Sequence, residues 1–166
     1  MSHNEGITFT SDGDVAVESR PTPEPGPDEV LVETDLTLVS TGTELMYLTD
    51  SHPSEGSSLP YEPGYNNVGT VVETGEAVDD DAVGQRVATY APHQRYATAS
   101  YEDGCYPVPT DVDDEAAAFF TIAEIVMNGV RRGEVDYGQA VGVYGLGLLG
   151  QLTVRVAHFA GAHPVV

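Results

Sequence analysis

Lysine and tryptophan are missing from this chain of 166 residues, cysteine occurs once, and six arginines are the only basic side chains besides histidine. A lone Cys105 excludes an intramolecular disulfide and any cysteine cluster. The shortage of cations against 27 acids leaves a net charge of −21 and a pI of about 4.1. Such a surface repels phosphate backbones, so a nucleic-acid partner is not expected, nor is an anionic membrane surface. Long apolar runs are also lacking. The apolar C-terminal third is interrupted by Arg155, His158 and several glycines, so no membrane span is expected. The polar start, Met1 to Glu5, has no apolar stretch behind it; a secretory leader is not expected, and the cytoplasm is the default location.

The acids are spread along the chain rather than gathered in a block, which describes a solvated acidic surface and not an acidic tail. With no lysine at all, that surface reads as an adaptation to high intracellular salt. Screening over about 3 Å at 1 M salt relieves the self-repulsion of so many like charges.

Short alternating or apolar segments at Asp14–Ser19, Glu29–Val39, Val68–Thr74, Arg86–Ala91, Arg95–Ala99 and Cys105–Val108 read as strands. The turn-rich stretches Pro21–Pro27, Ser51–Pro63 and Asp79–Asp81 separate them, and the pattern predicts a small β-barrel. At Asp113 the texture changes. An N-cap and first-turn acids, Asp113-Asp114-Glu115, open a helical pattern carried by Ile122, Ile125, Val126 and Val130. Arg131 and Arg132 sit in its last turn, and Gly133 ends it. Gln139 to Tyr144 then reads as a buried strand. Leu149 to Phe159 is a second helix, with Leu149, Leu152, Val156 and Phe159 on one face. A further strand begins at His163.

Between that strand and that helix lies Gly145-Leu146-Gly147-Leu148-Leu149-Gly150, a Gly-x-Gly-x-x-Gly turn in the strand–turn–helix context where it binds a dinucleotide. The first glycine permits the tight turn. The second lets a pyrophosphate approach the backbone, and the third lets helix and strand pack closely. The helix N-terminus then faces the phosphates. Gly145, Leu146, Gly147, Leu148, Leu149 and Gly150 are therefore the candidate cofactor-binding residues. The acid or arginine that would choose between NAD and NADP lies about 20 residues further on in such sites, so either cofactor is compatible.

The order of these pieces resembles the medium-chain dehydrogenase/reductase superfamily, and within it the zinc-type alcohol dehydrogenases. The resemblance rests on four segments. Pro23–Val32 looks like the lead into that family's first long strand. Pro63-Gly64-Tyr65-Asn66-Asn67-Val68-Gly69-Thr70-Val71-Val72-Glu73-Thr74-Gly75 fits its Pro-Gly-His-Glu-x-x-Gly-x-Val-x-Glu-x-Gly block without a gap. Val83–Val87 resembles its Val-Gly-Asp-Arg-Val, and Ala116-Ala117 with Gly129–Arg132 resembles its connecting helix. The resemblance implies a mixed α/β chain: a GroES-like β-barrel over residues 1–112 on the substrate side, a connecting helix over 113–135, and over 136–166 the incomplete, truncated βαβ beginning of a Rossmann domain. It also implies an NAD(P)-dependent oxidoreductase that moves a hydride to or from a carbonyl, alcohol or activated alkene of a small-molecule substrate.

Departures from the family pattern bear on the metal. Thr41 stands where the zinc enzymes place a ligand cysteine, Tyr65-Asn66 where they place His-Glu, and Thr121 near their third ligand. Catalytic zinc takes three ligands of His, Cys or carboxylate type. The four-cysteine structural lobe is missing as well. None of the five histidines (His3, His52, His93, His158, His163) is paired with another on one helix turn. No metal is expected. By the resemblance, Thr41, Thr43, Glu44 and Tyr65 are the candidate substrate-side residues. Each has a plainer reading: Thr43 as a turn hydroxyl satisfying local backbone, Glu44 as a helix-start acid, Tyr65 as packing. Asn66 and Asn67 read as turn residues, Cys105 as a small buried hydrophobe.

Two functions remain open on the sequence. One is the N-terminal part of a zinc-independent dehydrogenase whose C-terminal half completes the cofactor domain. The other is a non-catalytic truncated or split-gene module that pairs with a second chain, because a pair of parallel strands and one crossover helix cannot bury both faces of a parallel sheet.

Overall fold

The computed structural model describes residues 3–49 and 59–166, so most of the predicted Ser51–Pro63 loop, with His52, lies outside the described residues. The chain divides into two compact units, Met1–Phe119 and Phe120–Val166.

Among the described residues the first unit holds seven strands: β1 His3–Phe9, β2 Val15–Pro21, β3 Glu29–Thr37, β4 Asn67–Thr74, β5 Arg86–Thr89, β6 Tyr96–Ser100 and β7 Cys105–Pro107. Helix α1 spans Thr41–Leu48, and two single-turn helices follow, α2 Tyr101–Gly104 and α3 Asp114–Ala117. β1 and β2 form an antiparallel hairpin. The other five strands form one antiparallel sheet in the order β6-β3-β4-β5-β7, a curled half-barrel. The register between β3 and β4 slips at Leu31/Val32 and again between Thr34 and Leu36, and such irregularities bend a strand and increase its twist. Small apolar residues fill the core: Val30, Val32, Val71, Ala82, Val87 and Cys105 form one buried cluster. Asp79 caps the short 3₁₀ turn Asp80–Ala82 that seats Ala82 in this cluster.

β1 is the strand the alternation did not reveal, because its buried positions are Asn4, Gly6 and Thr8 as well as Phe9. Asn4 replaces a missing backbone ladder with its own side chain. Its Nδ2 donates to the Tyr96 carbonyl and its Oδ1 accepts the Tyr96 N–H, each at 2.8 Å. The far edge of β1 then reaches residues 93–95 and Tyr61: the Ile7 N–H donates to His93 O, the Arg95 N–H to Glu5 O, and the Phe9 N–H to Tyr61 O, each at 2.8 Å. In this way a polar strand brings His93 and Tyr61 to fixed positions.

The predicted continuous helix from Asp113 is broken. Asp113 does cap α3, accepting the Ala116 N–H at 2.7 Å, but α3 ends at Ala117 and the next helix starts at Phe120. That helix, α4 Phe120–Arg132, opens the second unit, and α5 Leu148–Phe159 follows. They pack through Val130, Ala157 and Ala162, with Val135, Val141, Val156 and Val165 against the cluster. Val141 bridges Val165 in parallel, the start of a βαβ unit. The expected buried strand over Gln139–Tyr144 is corrected here. Its backbone pairs with residues 163–166, Val141 N–H donating to Pro164 O at 2.9 Å and Val143 N–H to Val166 O at 2.6 Å, but Val141 and Val143 are half-buried and Tyr144 is fully exposed. A parallel strand is buried only when helices cover both its faces, and one helix pair covers one. No helix among the described residues is long and apolar enough to cross a membrane.

Candidate functional site

The substrate-side candidates gather at the start of α1. The residue before the helix, Ser40, makes no side-chain cap; instead the Glu44 carboxylate reaches back and accepts the Ser40 N–H at 2.7 Å. This is the backward half of a capping box, shifted by one residue. Glu44 is only 7% exposed, and its Oε1 lies 3.2 Å from Nε2 of His93, also 7% exposed. Glu44 is thus both the helix-start acid and half of a buried pair.

The strand block carrying Tyr65 holds the other half in place. The His93 N–H donates to the Pro63 carbonyl at 2.8 Å. Gly64, at φ +110°, lies so close that a Cβ there would sit 2.6 Å from His93 N and 2.9 Å from the ring Cγ. Only glycine fits. From the next residue, the Tyr65 hydroxyl donates to Thr43 Oγ1 at 3.4 Å. Both side chains are half-buried. Thr41, by contrast, is exposed, so the first turn of α1 brings Thr43 and Glu44 inward and leaves Thr41 outside.

An aromatic pair borders the group. Tyr47 stacks on Tyr61 with ring centroids 4.3 Å apart and planes 13° from parallel. Burial, the Tyr47 phenol and the nearby Glu44 carboxylate all raise the Tyr61 hydroxyl above its ordinary range.

Asn66 and Asn67 are not turn residues. Asn67 opens β4 fully buried, donating to Thr34 Oγ1 at 2.8 Å. Asn66 is fully buried, and both its amide atoms lack a partner among the described residues, as does His93 Nδ1. His93 is the member of this constellation that the sequence did not reveal. It pairs with a residue far off in the chain and shares a helix turn with no other ligand-type side chain.

The donor set does not suit zinc. Thr41 and Tyr65 supply hydroxyl oxygens and Asn66 an amide, where a borderline-soft ion takes thiolate, imidazole or carboxylate. Among the described residues no three His, Cys, Asp or Glu side chains come together as a metal-ligating group. Thr121 is buried on α4, in the second unit.

The cofactor-side candidates all lie in that second unit. Gly145 takes φ +95°, the left-handed turn expected of the first glycine. Gly147 precedes α5 in an extended conformation without a side-chain cap, and a Cβ on it would meet nothing within 4 Å. The space in which a phosphate would approach the backbone is open. A Cβ on Gly150 would overlap the Gly145 carbonyl, so the third glycine is required by the close passage of helix and turn. Gln151 fastens the turn from inside α5, its N–H donating to Gly147 O at 3.0 Å and its Nε2 to Leu146 O at 3.1 Å. Leu146, Leu148 and Leu149 are exposed and offer backbone rather than side chains. The turn therefore fits a nicotinamide dinucleotide's pyrophosphate, with the N-terminal amides of α5 as donors.

The comparisons agree with this architecture. The chain belongs to the alcohol dehydrogenase GroES-like domain family, which matches residues 26–159, and with it to the medium-chain dehydrogenase/reductase superfamily. It is 28% identical to sorbitol dehydrogenase of Pongo abelii over 196 aligned residues, covering 98% of this chain and 54% of that protein. Among solved structures, a zinc-binding-dehydrogenase homologue from Sinorhizobium meliloti 1021, crystallised with NADP, superimposes with a TM-score of 0.87 at 26% identity. That match covers 99% of this chain and 56% of the other. Acetophenone reductase from Geotrichum candidum, solved with NAD, shares the fold with a TM-score of 0.85 at 24% identity, over 98% of this chain and 57% of that one. The chain thus spans about half the length of the relatives it matches.

Proposed function

We propose that this chain forms the substrate side and the first cofactor-binding turn of a zinc-independent, NAD(P)-dependent oxidoreductase acting on a small carbonyl, alcohol or activated alkene. The glycine turn carries the reading: its open side at Gly147 and its closed side at Gly150 divide as dinucleotide binding requires. A bound nicotinamide supplies or accepts the hydride. The residues of this chain handle the proton. In the reducing direction, the Tyr65 hydroxyl would give its proton to the substrate oxygen and regain one from solvent, with Thr43 Oγ1 within hydrogen-bond reach of the phenol. Zinc independence is supported by the hydroxyl and amide donors at Thr41, Tyr65 and Asn66.

The test uses the polypeptide expressed from its full reading frame, in molar KCl. NADH or NADPH should bind with micromolar affinity, carbonyl reduction should survive chelation, and metal analysis should find far less than one zinc per chain. One tightly held zinc, with activity lost on its removal, overturns the zinc-free reading. Absence of binding by either nucleotide overturns the oxidoreductase reading.

One observation is common to this reading and the module reading. In the second unit Tyr137, Tyr144, Leu146, Phe159 and Val166 are between 66% and 100% exposed, a surface that a further sheet would cover, either from later residues of the same polypeptide or from a second chain. Co-purification of a separate chain carrying strand–helix repeats would decide for the second source. The acidic, lysine-free surface fits a cytoplasm of high salt.

A further inference from the structure

We infer that Glu44 and His93 form a positioning brace that sets Thr43 opposite Tyr65 in a site built without metal ligands. Two links tie the first turn of α1 to the Pro63–Tyr65 segment. One is the contact between the Tyr65 and Thr43 hydroxyls at 3.4 Å. A long hydroxyl–hydroxyl contact between half-buried side chains cannot by itself fix a geometry. The other link is stiffer. Glu44 Oε1 accepts the Ser40 N–H at 2.7 Å and faces His93 Nε2 at 3.2 Å. His93 is itself anchored at both its backbone groups, to Pro63 O and to the Ile7 N–H. Its ring lies against the Gly64 backbone too closely for any side chain there. Thr43 immediately precedes Glu44, and Tyr65 immediately follows Gly64. The brace therefore ends one residue away from each member of the hydroxyl pair.

Between the two neutral tautomers of His93, the hydrogen-bond inventory selects one. The carboxylate can only accept, so Nε2 carries the hydrogen. Nδ1 is then a bare acceptor, in keeping with its lack of any partner among the described residues. The reverse tautomer would set two acceptors against each other and bury an unpaired N–H, the costlier arrangement. The carboxylate also lies within the first turns of α1, where the helix dipole favours a negative charge. Both side chains are too buried to meet substrate, so their role is to hold, not to react.

The inference rests on the proposed function only for its turnover arm. The structural arm uses ¹⁵N-histidine and ¹³C-tyrosine NMR of the chain in molar KCl. His93 should show the Nε2–H tautomer with a slowly exchanging proton. Glu44→Gln retains an acceptor oxygen and should leave the Tyr65 ¹³Cζ resonance and Ser40 amide exchange near wild type. Glu44→Ala and His93→Phe should shift that resonance and speed Ser40 exchange at least tenfold. An Nδ1–H tautomer in the unmutated chain overturns the brace, as does a folded His93→Phe chain with both signals unmoved. In the turnover arm, Glu44→Ala and His93→Phe should lower kcat about tenfold, leave KM for the nucleotide unchanged, and have no further effect once Tyr65 is Phe. Full additivity with Tyr65→Phe overturns it. If the unmutated protein reduces no carbonyl, the proposed function fails, and the NMR arm alone decides the brace.

Discussion

A methyl group on Gly150 would run into the carbonyl oxygen of Gly145, while one on Gly147, three residues nearer, would meet nothing within 4 Å. Stability and ligand binding are therefore separable within one turn. Gly150→Ala should destabilise the second unit by about 1–3 kcal/mol, the usual cost of overpacking, seen as an earlier thermal transition. Gly147→Ser keeps a good N-cap and should melt as the parent does, yet lose at least tenfold in NADH or NADPH affinity by fluorescence titration. Equal loss of stability in both variants would contradict the division.

Cys105 is buried in the half-barrel core, and burial pushes its thiol up to about 11 from an ordinary 9.0. The native thiol should ignore Ellman's reagent at pH 8 and react as one equivalent in denaturant, since the thiolate is the reactive form. The sign of the pH effect follows. The folded thiol holds its proton where the unfolded one has lost it. The contribution is thus fully present below pH 9 and is lost as pH rises toward 11, worth about 2–3 kcal/mol at its limit. Denaturant melts at pH 8, 9.5 and 11 measure it, and Cys105→Ser should flatten the fall.

Tyr65→Phe removes a hydroxyl whose protein contact with Thr43 is long, so its stability should change by no more than about 1 kcal/mol. If that hydroxyl donates to the substrate oxygen, kcat for carbonyl reduction should fall about 10²-fold. Steady-state kinetics with the protein from the full reading frame, beside a melt of the same sample, separates the two effects. An unchanged kcat would remove Tyr65 from the chemistry.

With a net charge of −21 and few ion pairs among the described residues to balance it, the folded chain should gain from salt. Between 0.1 and 2 M KCl the gain should be on the order of 2 kcal/mol, or about 4–8 °C in Tm. A Tm that does not rise would count against a saline habitat.

Much of the half-barrel was legible because β2 to β5 carry their own signals: β-branched residues at alternate positions, closed by Gly75, Gly84 and the prolines around residue 25. β1 was not, since Asn4 and Gly6 hold buried places that alternation assigns to apolar side chains. Helix α1 showed only in the reading of Glu44 as a helix-start acid: Thr41, Gly42 and Thr43 are poor helix formers, and the turn is secured by Glu44 reaching back to Ser40. The glycine turn could be read residue by residue because each glycine has its own local reason: a left-handed φ at Gly145, an open backbone at Gly147 and a close passage at Gly150. His93 could not, because its meaning comes from residues brought beside it by tertiary structure. The strand before the glycines looked buried from its apolar content, but burial depends on neighbours, and the second unit supplies them on one side only.

The stacked rings of Tyr47 and Tyr61 have an optical consequence. In a polypeptide free of indole, near-ultraviolet dichroism arises chiefly from its phenols, and two phenols this close and nearly parallel couple their transitions into a distinctive band. Both lie in the first unit, so the molecule carries a native chromophore that reports on that unit alone, without a dye or an added label.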